Sequence, residues 1–178
     1  LRQDVGIFER DFAEYVGSEY CIGVNSGTDA LYLSLWALNI GSGDDVLVPS
    51  YTFVATAEVV RQLGATPILY DKLDNFTLDI PDDCKAIIPA HLEGQFSFNM
   101  STLLQKAKEY NIHVIEDACQ ALGAKQNGRM AGTFGLTGCF SFYPAKLLGA
   151  YGDAGAIVTD SEYLYEELKE LRNHYKKD

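Results

Sequence analysis

Seven short runs rich in aliphatic and β-branched residues punctuate the chain: "YCIGV" (20–24), "DVLVP" (45–49), "TPILY" (66–70), "KAIIP" (85–89), "IHVIED" (112–117), "GCFSF" (138–142) and "GAIVT" (155–159). Runs of this length and composition read as buried strands. Several are separated by segments with helical spacing. Strands alternating with helices pair in parallel, through right-handed crossovers that cover both faces of the sheet. The expected fold class is therefore α/β, a three-layer α/β/α arrangement with a mostly parallel central sheet. Binding sites in such sheets form beyond the carboxyl ends of the strands.

The helices follow from apolar periodicity and from their caps. Val5, Phe8, Phe12, Tyr15 and Val16 fall on one face of a helix from Asp4 to Gly17. Asn25-Ser26-Gly27-Thr28 forms a turn that opens a second helix through "DALYLSLWAL". A third is expected from about Val54 to Leu63, and Asn99 or Ser101 caps a fourth that runs to Tyr110 and is broken at Asn111. With no repeat, low-complexity tract or linker, residues 1–178 read as one domain. The chain starts at Leu1 and ends in a charged, helix-like stretch from Ser161 with nothing after it to pack against. Both features suggest an incomplete chain.

Composition removes several function classes. The 178 residues are 47% hydrophobic and 22% charged, enough apolar material for a sizeable core. Acidic residues outnumber basic ones, 25 to 14, for a net charge of −11, and the short Lys176–Lys177 pair is no basic cluster. Nucleic acid is thus not an expected partner. No run approaches the roughly 18 apolar residues of a membrane span, and no signal segment opens the chain, so a cytoplasmic location is expected. Cys21, Cys84, Cys119 and Cys139 are widely spaced without a C-x-x-C pair, which suggests buried free thiols and no metal site.

Three places carry possible chemistry. Gly27, between Ser26 and Thr28, lets the backbone come close to a ligand, and free N–H groups at a helix start suit a phosphate. The same residues serve equally as an ordinary N-cap. No G-x-G-x-x-G or G-x-x-x-x-G-K-[ST] run points to a dinucleotide or a P-loop. Glu116 and Asp117 end an apolar strand, where a carboxylate can hold a metal, act as a base, pair with a ligand cation, or lie in a solvated loop. Lys146, in "FSFYPAKLLGAYGDAG", stands among aromatic, small and apolar residues, the setting of an amine used as a nucleophile toward a carbonyl. The carbonyl most often used in this way is the aldehyde of pyridoxal phosphate, which also needs a phosphate cradle, a carboxylate for its ring nitrogen and an apolar face. The sequence offers candidates for each.

Taken together, "NSGTDAL" (25–31), "VPSYTFVATAEVV" (48–60), "PAHLEGQ" (89–95), "IEDACQALGA" (115–124) and "FSFYPAKLLGAYGDAGAIVTD" (140–160) resemble, in order and spacing, the DegT/DnrJ/EryC1/StrS group of fold-type I sugar aminotransferases, which depend on pyridoxal phosphate. The resemblance spans nearly the whole chain. It implies that Lys146 bonds covalently to the cofactor and moves the substrate's proton, that Asp117 pairs with the protonated ring nitrogen, and that Gln120 bonds the phenolic oxygen. It assigns Gly27, Thr28 and Ser141 to the phosphate and Phe53 to the ring face, although Phe53 also suits a core. His91 is either a substrate-side imidazole or a structural residue, while His113 and His174 read as structural or surface residues. Leu147 stands where the group commonly has Asn, and Glu93 where it commonly has Tyr.

The resemblance further implies amino transfer from an amino acid, glutamate, to a nucleotide-linked keto-sugar, in amino-sugar and polysaccharide biosynthesis. Relatives that dehydrate carry His in place of the lysine, so Lys146 favours transfer over a dehydratase or lyase. A non-catalytic regulatory or interaction protein keeping the fold is the other alternative. Members of the group continue into a smaller C-terminal domain and act as homodimers, which makes 1–178 the expected large domain.

Overall fold

A computed structural model describes residues 2–71, 80–81 and 83–173. His174 lies outside them. Nine strands and five helices are described: α1 (Arg2–Val16), β1 (Tyr20–Val24), α2 (Gly27–Ala37), β2 (Asp45–Pro49), α3 (Ala55–Gln62), β3 (Thr66–Tyr70), β4 (Cys84–Ile87), α4 (Met100–Tyr110), β5 (His113–Asp117), β6 (Lys125–Gln126), β7 (Arg129–Met130), β8 (Thr137–Ser141), β9 (Gly155–Thr159) and α5 (Glu162–Arg172). Seven strands form the main sheet in the order β1-β9-β8-β5-β4-β2-β3. The pairs β2–β3, β2–β4, β4–β5 and β5–β8 are parallel, while β9 runs antiparallel to both β1 and β8. Six strands therefore point one way. The carboxyl ends of β1, β2, β5 and β8 open on the same edge, and the segment entering β9 arrives there too.

Helices cover both faces. On one, α2, α3 and α5 pack through Leu31, Leu35, Val59, Val60 and Leu168 against Ile22, Val48, Ile115, Cys139 and Ile157. On the other, Phe12 of α1 meets Phe140 and Phe142 edge-on, with ring centroids 5.1 and 5.2 Å away, and Leu103 of α4 packs with Leu47, Ile87 and Val114. Because a strand's side chains alternate, Ile115 and Asp117 share the α2/α3 face while Val114 and Glu116 share the α4 face. That alternation separates the two acids at the end of β5.

The caps behave as the sequence suggests. Ser26 Oγ accepts from Asp29 N at 3.0 Å at the start of α2, Asn99 Oδ1 accepts from Thr102 N at 3.2 Å at the start of α4, and Asn111 ends α4 in the left-handed region at φ 54°. The C-terminal helix packs on elements that precede it: Leu164, Leu168 and Leu171 of α5 are buried in the α2 layer. The β6–β7 hairpin was not anticipated: Asn127 and Gly128, at φ 53° and 82°, make its two-residue turn.

Candidate active site

A cavity of about 430 Å³ opens at the carboxyl edge, within the size range of small-molecule sites. Its wall brings together Gly27 and Thr28 from the start of α2, Phe53 from the loop after β2, Asp117 from the end of β5, Gln120 just beyond it, and Ser141 and Lys146 after β8. Residues 27, 53, 117 and 146 are far apart in sequence. They meet because four strands of one orientation, β1, β2, β5 and β8, end on the same edge of the sheet. Phe53 lies on the wall and is 64% exposed, so it is not a core residue.

The phosphate end is shaped by close backbone approach. A Cβ on Gly27 would stand 2.6 Å from Cys119 Sγ and 2.8 Å from Ser141 Cβ, so that position accepts hydrogen alone. A Cβ on Gly155 would likewise stand 2.4 Å from the Ser26 carbonyl, and this lets β9 press against the same turn. Ser26 caps Asp29 N, and Ala30 N donates to Ser26 O. The Gly27 and Thr28 N–H groups, in the first turn, precede the donors that find an acceptor within the helix. An anion here would also meet the positive end of the helix dipole.

Asp117 is 7% exposed and faces the cavity. Its Oδ1 accepts from Cys119 N at 3.2 Å and its Oδ2 from the Thr56 hydroxyl at 2.9 Å. The backbone around it is pinned as well, with Asp117 N donating to Pro89 O at 3.0 Å and His91 N donating to Asp117 O at 2.9 Å. Lys146 sits in a turn closed by its own N–H to Tyr143 O at 2.8 Å, and its side chain is half-buried. Its positive charge is felt at Cys119, whose thiol is pushed well above its ordinary value chiefly by burial, then by Asp117, while Lys146 draws it down. Lysine, thiol and carboxylate thus face one another across a small space.

His91 is placed elsewhere. It is fully buried, stacks obliquely on Phe96 at 4.7 Å, and pairs through Nε2 with Glu116 Oε2 at 2.9 Å. Ser97 N donates to its Nδ1 at 3.3 Å, so the ring proton belongs on Nε2 and is donated to Glu116. Glu116, also fully buried, further accepts from Gly132 N at 2.9 Å, Phe134 N at 2.5 Å and Gly135 N at 2.7 Å. The imidazole thus pairs with Glu116 on the α4 face and is not part of the cavity wall that Asp117 lines. Glu93 has φ 55° and is exposed in a turn whose neighbour Leu92 lines the cavity, and Leu147 is 85% exposed.

Thr52, Tyr143, Asp153 and Cys119 also line the cavity, and Thr56 supports it from behind, although none stands out as a site residue in the sequence. One signal for Thr56 was present. Among the buried residues of α3, namely Ala55, Thr56, Val59 and Val60, it alone carries a polar atom on its side chain.

The arrangement fits pyridoxal phosphate. The Gly27 cradle that a Cβ would fill suits a phosphate, a shielded carboxylate faces the middle of the cavity, and an amine stands at its wall. Comparisons agree. Residues 3–178 match the model of the DegT/DnrJ/EryC1/StrS aminotransferase family. The chain is 46% identical over 174 residues to UDP-N-acetyl-3-dehydro-alpha-D-glucosamine 3-aminotransferase of Acidithiobacillus ferrooxidans, covering 93% of this chain and 47% of that one. It superposes with a TM-score of 0.91 and 42% identity on DesV of S. venezuelae, solved in complex with a ketimine intermediate, over 98% of this chain and 49% of that one. A Bacillus subtilis structure with bound cofactor PMP matches at TM-score 0.83 and 35% identity, over 93% of this chain and 39% of that one. The chain spans about half the length of the curated relatives it matches. It belongs to the DegT/DnrJ/EryC1/StrS aminotransferase family, whose cofactor is pyridoxal phosphate.

Proposed function

We propose that these residues are the cofactor-binding large domain of an aminotransferase that moves an amino group from an amino acid, glutamate, to a nucleotide-linked keto-sugar. The observation that carries this reading is the convergence of Gly27, Asp117 and Lys146 on one cavity at the carboxyl edge of the sheet. Relatives named for amino transfer to nucleotide-linked sugars support the substrate class. When bound, the cofactor supplies an electron sink that stabilises negative charge on the substrate carbon beside the nitrogen.

The chain's own residues do the rest. The Gly27 and Thr28 N–H groups and the Ser141 hydroxyl hold the phosphate, anchoring the ring at one end. Asp117 would accept a hydrogen bond from the protonated ring nitrogen, forming an ion pair that leaves the proton on the ring, and Gln120 would bond the phenolic oxygen. Phe53 covers one face of the ring and keeps water from it. The Lys146 amine would give the covalent attachment and, once displaced by the donor amine, would serve as the base that takes the proton from the substrate carbon and hands it to the cofactor carbon two bonds away, across the shared nitrogen. A lysine can make that transfer at a single position because its nitrogen swings on a flexible stem.

Homodimerisation is part of the proposal. Tyr51, Val54, Leu147 and Tyr151, close in sequence to the wall residues Thr52, Phe53, Lys146 and Asp153, are 80%, 65%, 85% and 113% exposed, apolar surface of the kind a second subunit covers. We further propose that a smaller C-terminal domain follows in the full-length protein, consistent with the length of the relatives, and that the enzyme works in the cytoplasm with its nucleotide-linked substrate. Among the described residues no helix is long and apolar enough to cross a membrane. As a test, the full-length protein loaded with cofactor is given glutamate and a panel of nucleotide-linked keto-sugars, and products are read by mass. An amino-sugar nucleotide formed with 2-oxoglutarate supports the reading. Loss of water from the sugar without nitrogen gain, or no product across the panel, counts against it.

A further inference from the structure

Thr56 is fully buried, yet its hydroxyl touches three oxygen atoms: Thr52 Oγ1 at 2.9 Å, Phe53 O at 3.0 Å and Asp117 Oδ2 at 2.9 Å. A hydroxyl has one proton to give. Of the two acceptors that cannot donate in return, the carboxylate is the stronger, since bonds to an ionised partner are about twice as strong as neutral ones. The Thr56 proton therefore goes to Asp117, which leaves the Thr56 oxygen free to accept from Thr52. Thr52, on the cavity wall, then points its own proton inward. The result is a directed chain of donors, Thr52 to Thr56 to Asp117.

We propose that Thr56 is a positioning residue for Asp117 and, through it, for the protonation state of the cofactor's ring nitrogen. The assignment rests on the functional reading above. Cys119 N fixes one carboxylate oxygen and Thr56 the other, so the plane of the group is set and the lone pairs left over face the cavity, where the residue keeps its remaining 7% exposure. Without Thr56, Oδ2 loses its hydroxyl donor and the carboxylate is held only from the Cys119 side. Thr52 acts one step further away, so its loss has the smaller effect, and it is not a donor to ligand.

The test uses the full-length protein with pyridoxal phosphate carrying nitrogen-15 in the ring. Its ring-nitrogen resonance separates protonated from neutral nitrogen, and the cofactor dissociation constant and Tm are measured alongside. Thr56→Val should weaken cofactor binding about tenfold, the loss of one bond to a charged group, and move the resonance toward the neutral position. Thr56→Ser should restore both, and Thr52→Val should give a partial shift. If Thr56→Val is insoluble, Thr56→Cys, with a weaker donor of similar size, takes its place. A resonance and dissociation constant unchanged in the variant, or displaced equally in Thr56→Ser, would overturn the assignment while leaving the functional reading intact. A wild-type protein that takes up no cofactor would overturn both.

Discussion

Replacing Glu116 by glutamine keeps the shape of the side chain and removes one acceptor oxygen from a place where every partner is a donor. Oε1 receives Phe134 N and Gly135 N, while Oε2 receives Gly132 N and His91 Nε2. The least costly placement turns the new amide nitrogen toward His91, where a switch of tautomer gives it an acceptor. Gly132 N–H then has none, at about 1–3 kcal/mol for a buried donor left unmet, and the half-buried Ser97 N–H gives up its long 3.3 Å bond to Nδ1. The two bonds that remain on the amide oxygen lose their charge assistance, at about 1 kcal/mol each. The expected cost is about 3–5 kcal/mol, or a fall in Tm of roughly 6–20 °C for a chain of this size. Thermal unfolding followed by circular dichroism, with and without cofactor, reads it directly. A Tm within ~3 °C of wild type would refute the view that this carboxylate ties the 132–135 loop and residue 91 to the end of β5.

Gly27→Ala should lower Tm by roughly 2–12 °C through about 1–3 kcal/mol of overpacking against Cys119 and Ser141, and should also weaken cofactor uptake; Cys119→Ala in the same chain should recover part of the stability loss. Leu168→Ala should cost about 2–5 kcal/mol in urea unfolding, since that side chain is fully buried between α5 and the α2 layer. Burial lowers the His113 pKa below its ordinary 6.5. The unfolded chain then binds the extra proton first, and stability falls as pH drops through about 6.5 toward the lower folded value. The urea midpoint of His113→Gln should lack that share of the decline.

Much of the fold was legible because its signals are local. The run "IHVIED" can be a strand by its β-branched residues alone, and Asn99 and Asn111 mark the two ends of α4 through a side-chain bond and a left-handed φ that neighbouring residues do not alter. Lys146 stood out locally by its apolar setting, whereas Gly27 and Asp117 each kept an ordinary reading until the family resemblance selected them; all three line the cavity. What stayed hidden depends on contacts far along the chain. Glu116 and Asp117 look alike in sequence, yet the two-residue period of β5 sends one into a buried cluster with residues 91 and 132–135 and the other to the cavity. Thr56 acquires its role only because α3 lies over the end of β5. The β6–β7 hairpin is the opposite case, since Asn127-Gly128 announces a tight turn locally, but two-residue strands are too short to show a period.

Borohydride treatment of the protein with pyridoxal phosphate, followed by peptide mapping, tests the central claim most directly. The account predicts one stable pyridoxyl adduct, on Lys146, that is lost in Lys146→Ala. An unmodified Lys146, or label scattered over the other lysines at equal yield, would contradict it.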